Sequence, residues 1–206
     1  MANAMRRTSE AAALLGLLYA ARRYYRNWGA TKAECRMALP GDGSVTDPAI
    51  QTTEAVYIDA PVSAVWSELL QSGQRRRDAD QGPPESQQLA VGDVLRLAPE
   101  GWMGLPEGVR LSVAELVGEK YIALRGTRAD LRWNAVWSFH IQPHWEDRVR
   151  LLTRARIALR YPGEVFAMEL LRPVIALGTR AFLLGVKHRV ERSQLTTPTP
   201  SAVEHG

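Results

Sequence analysis

PGEVFAMELLRPVIALGTRAFLLGVKHRVER, residues 162–192, is the stretch on which the reading of the fold turns. Apolar residues recur through it at helical spacing, with Val174, Leu177, Ala181 and Leu184 on one stripe and Ile175, Phe182 and Val186 beside it. It is the longest helix candidate in the chain. Pro173 has no backbone N–H and its ring crowds the preceding turn, so the spacing predicts a short helix before it and a long one of about 19 residues starting near it. Gly178 and Gly185 fall on one face of that helix. A glycine pair weakens a helix, which points to close approach or reserved space, with something lying against that face.

Upstream the periodicity changes from helix to strand. The segments 91–99, 109–117, 120–126, 131–142 and 147–160 are separated by short turns with Gly, Pro, Asp and Glu, which predicts consecutive antiparallel hairpins. In the fourth, Trp133, Ala135, Trp137, Phe139 and Ile141 share a face. In the fifth, Val149, Leu151, Thr153, Ala155, Ile157 and Leu159 share one, and Arg148, Arg150, Arg154, Arg156 and Arg160 take the other. One apolar face and one wet face is what a sheet wrapped around a helix requires. The expected fold is therefore α+β, a curved antiparallel sheet around a long C-terminal helix, with an extra N-terminal helix.

Further outward, TTEAVYID (52–59) alternates like a strand, and the following APVSAVWSELLQ carries Val62, Val65, Trp66 and Leu69 on one face of a short helix. Residues 72–88 hold no large apolar side chain and read as an exposed loop. The turn-rich segment within 28–51 reads as a linker, 52–192 as the folded domain, and 193–206 as a disordered polar tail. In the N-terminal region, 1–27, the apolar run AAALLGLLYAA (11–21) is about half the length a bilayer core demands. A signal peptide competes for this run, since Arg6 and Arg7 precede it, but no small-x-small cleavage pair follows. Its RRYYRNW ending has the residue types of a membrane interface, so peripheral contact is one reading and packing on the domain or a partner is the other.

The chain has 206 residues, 46% of them hydrophobic, and a net charge of +4, enough for one sizeable core. The positive charge is almost all arginine, as only Lys32, Lys120 and Lys187 supply lysine. Cys35 is the one cysteine, so no intrachain disulfide forms and a reducing compartment is permitted. The expected location is cytoplasmic, with membrane association through the N-terminal helix as an extension of it.

The segments TTEAVYIDAPVSAVWSELLQSG (52–73), LAVGDVLRLAP (89–99), VAELVGEKYIALRG (113–126), WNAVWSFHIQP (133–143) and FLLGVKHRVE (182–191) resemble the SRPBCC superfamily, the START-like helix-grip domains that include polyketide cyclase/dehydrase and lipid-transport proteins. WGAT (28–31) and LPGD (39–42) resemble the segment that precedes the domain in bacterial members with a hydrophobic N-terminal helix. The resemblance implies a cavity between sheet and helix for a lipid, polyketide or other hydrophobic molecule, and implies no reaction. The chain departs from the family pattern at RRRDADQGPPESQQ (75–88), where similar proteins often carry a Gly- and aromatic-rich stretch.

Residue types then give the candidates. The expected cavity lining is Trp133, Ala135, Trp137, Phe139, Thr153, Ala155 and Ile157 from the sheet, with Leu177, Ala181 and Leu184 from the helix. Two readings compete: a non-catalytic carrier of a hydrophobic small molecule, and a cyclase, aromatase or dehydratase in which His188 or Tyr121 moves protons. A third is an interaction module with a packed interior. His140 points off the apolar face, and His144, Glu146 and Asp147 fall in a turn beside Pro143, so the cluster reads as solvated and no metal is expected. No nucleotide or haem motif is present, so no cofactor is expected. Arg75 to Arg77 and the arginine-bearing strand raise nucleic acid, but that face lacks stacking aromatics, so nucleic acid is not an expected partner.

Overall fold

The computed structural model describes residues 10, 12–14, 16–17, 27–77, 88–101, 108–127, 133–159 and 161–196. Its elements are α1 (Lys32–Arg36), β1 (Ile50–Ile58), α2 (Val62–Gln74), β2 (Val94–Ala98), β3 (Val109–Val117), β4 (Tyr121–Thr127), β5 (Trp133–Trp145), β6 (Arg148–Leu159) and α3 (Pro162–Thr196). The six strands form one antiparallel sheet in the order β1-β6-β5-β4-β3-β2. Strands β2 to β6 are successive hairpins, and β1 returns to pair with β6 from Ile50↔Ile157 to Ile58↔Val149. The sheet curves around α3, as the alternation in β5 and β6 requires of a sheet with one apolar face.

Packing between sheet, α2 and α3 makes the core. Ile58, Val65, Val149, Leu151, Leu183 and Val186 are fully buried in it. Two features of α3 differ from the expectation. Pro173 lies inside a continuous 35-residue helix and neither ends nor begins one. Proline costs one backbone hydrogen bond there, and the flanking turns and the packing of the C-terminal half carry the helix through. The face is also different. Ala176, Leu183, Val186 and Val190 are buried, whereas Val174 and Leu177 of the expected stripe are 49% and 51% exposed. The core-facing residues recur at the 3- and 4-residue spacing of a packed seam, and the neighbouring apolar stripe faces solvent.

The outer face of the sheet is the larger surprise. Residues 28–46, within the segment read as a linker, pack against the sheet, and the arginine face of β6, read as wet, is largely covered by them. Thr31 and Glu34 form a reciprocal capping box that starts α1, and the segment after it buries Leu39 and Val45. Gly41, at φ +87°, lets the chain approach β4 and β5 so closely that a Cβ there would lie 3.3 Å from that of Ala123. Arg154, 1% exposed, donates to the Met37 carbonyl (2.7 Å), Asp42 Oδ2 (2.7 Å), Thr53 Oγ1 (3.1 Å) and the Glu34 carbonyl. Arg150 forks onto Glu34 at 2.8 and 2.9 Å and reaches the Gly29 carbonyl at 2.7 Å. The carboxyl of Glu34 is held below its ordinary range by Arg150, which outweighs the cost of its burial. The sheet is thus covered on both faces near β1, β5 and β6, by α3 inside and residues 28–46 outside.

Other expectations are settled at the ends of elements. α2 runs to Gln74, so Ser72 and Gly73, read as loop, are buried helix residues; 78–87 lie outside the described residues. The helix α3 extends to Thr196, three residues into the expected tail, and 197–206 lie outside the described residues. Of the apolar run 11–21, residues 12–14, 16 and 17 are helical with Leu14 and Leu17 exposed, and the remainder is outside the described residues. Among the described residues no helix is long and apolar enough to cross a membrane.

Candidate functional site

Between the sheet and the two helices lies a small apolar cavity of about 30 Å³. Leu69, Ser72, Gly73 and Arg76 approach it from the end of α2, Ile122 and Leu124 from β4, Trp137 and Phe139 from β5, and Phe182 from α3. Leu89, Leu95 and Leu97 close the far side. Gly73 lets Leu89 pack close, because a Cβ would meet Leu89 Cδ2 at 2.7 Å and displace that side chain. Three aromatic rings form one wall: Trp137 to Phe139 at 4.8 Å, Phe139 to Phe182 at 5.4 Å and Trp137 to Phe182 at 6.2 Å between centroids, all tilted. The volume is that of roughly one water, against about 300–1,000 Å³ for a pocket that engulfs a ligand.

An open cleft of about 350 Å³ adjoins it and shares Ser72, Arg76 and Phe182 with it. Its other walls are Arg75, Gly178, Ala181, Gly185 and Arg189. Both glycines of the α3 pair line this cleft, so the expectation of reserved space against their face is met by a groove between α2 and α3. A Cβ at Gly178 would touch nothing within 4 Å, and one at Gly185 would meet only the Arg189 guanidinium at 3.1 Å.

Charge in the cleft is unbalanced. Arg75 and Arg189 both hold Glu68 Oε1, at 2.7 and 2.6 Å, and the Ser72 hydroxyl donates to the same oxygen at 3.0 Å. Burial alone would raise the Glu68 carboxyl, but Arg189, Ser72 and Arg75 together bring it below its ordinary range. Arg76 lies over the Phe182 ring, 5.0 Å from its centroid, and has no carboxylate partner among the described residues. Burial, then repulsion from Arg189 and Arg75, lowers its pKa.

Of the residues picked from sequence, Trp137 and Phe139 line the cavity and Ala181 lines the cleft. Leu184 is half-buried against the core. Ala135 is buried but outside both spaces, and Thr153 is buried with its hydroxyl donating to the Ser138 carbonyl at 3.0 Å. Ala155 and Ile157 are half-buried away from the cavity, and Leu177 faces solvent. The backbone of Trp133 begins β5; its side chain is outside the described ones.

Neither acid-base candidate reaches the cavity. His188 is exposed on α3. Tyr121 is on the outer face of β4, where its hydroxyl donates to Glu115 Oε2 at 2.7 Å, a bond that raises its pKa. His140 also differs from expectation: it is buried, stacks on Tyr121 and has Nε2 2.9 Å from Ser138 Oγ. Burial, reinforced by Arg154, pulls its pKa down to about 4. Among the described residues no group of three His, Cys, Asp or Glu side chains could hold a metal ion. The Arg75–Arg77 run is divided: Arg77 pairs with Asp93 at 2.9 Å, Arg75 with Glu68, and Arg76 turns to Phe182.

Glu54 is among the buried ionisable groups that escaped notice in the sequence. Glu54 lies opposite Thr153 on the inner face of β1, 2% exposed, with Oε2 lacking a partner among the described residues. Burial, opposed by Arg180, pushes its carboxyl up to about 7. The available signal was parity, since Glu54 shares its face with Val56 and Ile58.

No protein-family model matches the sequence, and no curated protein matches it. Solved structures do. Norcoclaurine synthase from Thalictrum flavum is similar at 14% identity and a TM-score of 0.48, over 70% of this chain and 95% of that one. An aromatase/cyclase from a Streptomyces species is similar at 18% and 0.49, over 70% and 94%. A polyketide-cyclase-like protein from Corynebacterium glutamicum is similar at 16% and 0.45, over 77% and 99%. At these values no ligand and no reaction passes from those proteins to this one. By its own strand order, its antiparallel pairings and the long C-terminal helix inside the sheet, the chain has a helix-grip fold.

Proposed function

We propose that the protein binds a hydrophobic small molecule, lipid- or polyketide-like, between the sheet and α3, and acts as a carrier without catalysing a reaction. The observation that carries this reading is an apolar cavity adjoining an open cleft, with Ser72, Arg76 and Phe182 common to both linings. Phe182 borders both spaces with Ser72 and Arg76, and its ring is held by neighbouring rings and a guanidinium and has no polar anchor of its own. Rotation of Phe182 joins the two spaces and admits an alkyl chain or flat ring. Among the described residues, Arg76 is the one ionisable side chain that lines the cavity, and it has no proton to move near neutral pH, which favours a carrier over an enzyme.

The small resting volume favours a second reading, an interaction module with a packed interior. Titration with an apolar fluorescent probe, followed by native mass spectrometry, separates the two. The carrier reading expects a one-to-one complex in the unmodified protein and tighter binding in Phe182→Ala, which opens the partition. Absence of binding in both proteins would leave the packed interior as the better account.

A further inference from the structure

We infer that the cleft between α2 and α3 is a head-group site, and that the ligand is an anionic amphiphile with a carboxylate or phosphate head and an apolar tail. This inference rests on the proposed apolar-ligand reading and adds the head-group chemistry to it.

Three guanidiniums, those of Arg75, Arg76 and Arg189, border the cleft, and Glu68 is the one carboxylate bonded to any of them among the described residues. Glu68 is itself shared: one oxygen accepts from Arg75, Arg189 and Ser72 together. It therefore offsets a single positive charge and leaves the cluster with an excess of two, counted as three cations against one anion. Like charges gathered on a partly dry wall repel, and an anion placed among them removes the repulsion. Each guanidinium carries five N–H donors in a planar fork suited to paired oxygens, and the bonds to Glu68 and Ser72 use only some of them.

Space exists for the head. On the α3 wall, beside Arg189, lies the glycine pair, and no side chain stands within 4 Å of the Cβ position of Gly178. Direction is set by Arg76, which borders the cleft while its guanidinium lies over Phe182, a ring that also lines the apolar cavity. A head group drawn to Arg76 loosens that ring contact and aligns the tail with the cavity. The arrangement suits an amphiphile better than a free anion, because the dry space that shares Ser72, Arg76 and Phe182 with the cleft is lined mostly by leucines and aromatic rings.

The test compares four probes on the full chain by calorimetry: dodecanoate, dodecyl phosphate, dodecan-1-ol and inorganic phosphate. The two charged amphiphiles are expected to bind at least about ten-fold more tightly than the alcohol, the scale of a charge-assisted hydrogen bond. That ratio should fall toward one in Arg75→Gln/Arg189→Gln, and in the unmodified protein as salt is raised. Arg76→Gln breaks no ion pair and gives the same readout if the double variant melts too early. Equal binding of all three alkyl probes, or a ratio that neither variant nor salt changes, overturns the head-group assignment and leaves the apolar-ligand reading standing. Inorganic phosphate binding as tightly as dodecyl phosphate overturns the amphiphile. Binding of no alkyl probe overturns the inference and the proposed function together.

Discussion

Glu54→Gln converts a buried carboxyl into a neutral side chain of the same shape, and its effect should depend on pH in a way that burial dictates. Glu54 is 2% exposed and its carboxyl is pushed from the ordinary 4.5 up to about 7, so between those values the folded protein holds a proton that the unfolded chain releases. Stability from this group is therefore full below pH 4.5 and falls as pH rises toward 7. At roughly 1.4 kcal/mol per decade the loss reaches about 3 kcal/mol above pH 7. His140 acts in the opposite sense. Its pKa drops from 6.5 to about 4 in the fold, so it contributes stability above pH 6.5 that is lost as pH falls toward 4. The two slopes nearly cancel between pH 4.5 and 6.5, which hides both in the unmodified protein. Urea unfolding of unmodified protein and Glu54→Gln across pH 4.5 to 8 separates them, because all groups common to both proteins drop out of the difference. The variant should gain on the unmodified protein with rising pH, by about 3 kcal/mol over the range. A stability difference that stays constant with pH would refute the reasoning, whatever its size.

Two further outcomes follow from the covering segment and the glycine face. Arg154→Leu leaves Asp42 with only the longer Arg156 pair at 3.4 Å and two carbonyls without their donor under the 28–46 segment, and should cost about 3–5 kcal/mol, with limited proteolysis cutting within 28–46 before any cleavage in β6; a loss below about 1 kcal/mol, the scale of a surface pair, would contradict the burial. Gly178→Ala meets nothing within 4 Å and should stabilise α3 by about 0.5–1 kcal/mol while weakening dodecyl phosphate binding. Thermal melting and calorimetry on the one variant check both halves, and stabilisation with unchanged affinity would remove the cleft from the binding site.

What the sequence conveyed well was anything set by local periodicity. The alternation in 131–142 and 147–160 predicted the long β5–β6 hairpin, and the succession of short strands before it predicted the meander. The inward placement of Trp137 and Phe139 came from the same parity. What it hid was set by contacts between residues far apart in the chain. Arg150 and Arg154 alternate as solvent-facing residues do, and nothing local says that Glu34 and Asp42, 116 and 112 residues earlier, lie over them. His140 was read as exposed for the same reason. In α3 two apolar stripes run side by side, and periodicity cannot say which meets the sheet, so Leu177 was assigned inward in place of Leu183. The cleft was half legible: the glycine pair marked the empty wall, but the approach of Arg76 to Phe182 exists only once α2 and α3 are packed together.

Trp137 offers the most direct measurement of the central claim, because it lines the cavity that the tail is proposed to enter. A terminally brominated dodecanoate quenches tryptophan only at short range. The account predicts saturable quenching of the unmodified protein with one-to-one stoichiometry, and loss of most of that quenching in Trp137→Phe at unchanged binding by calorimetry. Equal quenching in both proteins, or binding that leaves Trp137 emission untouched, would place the ligand outside the cavity and contradict it.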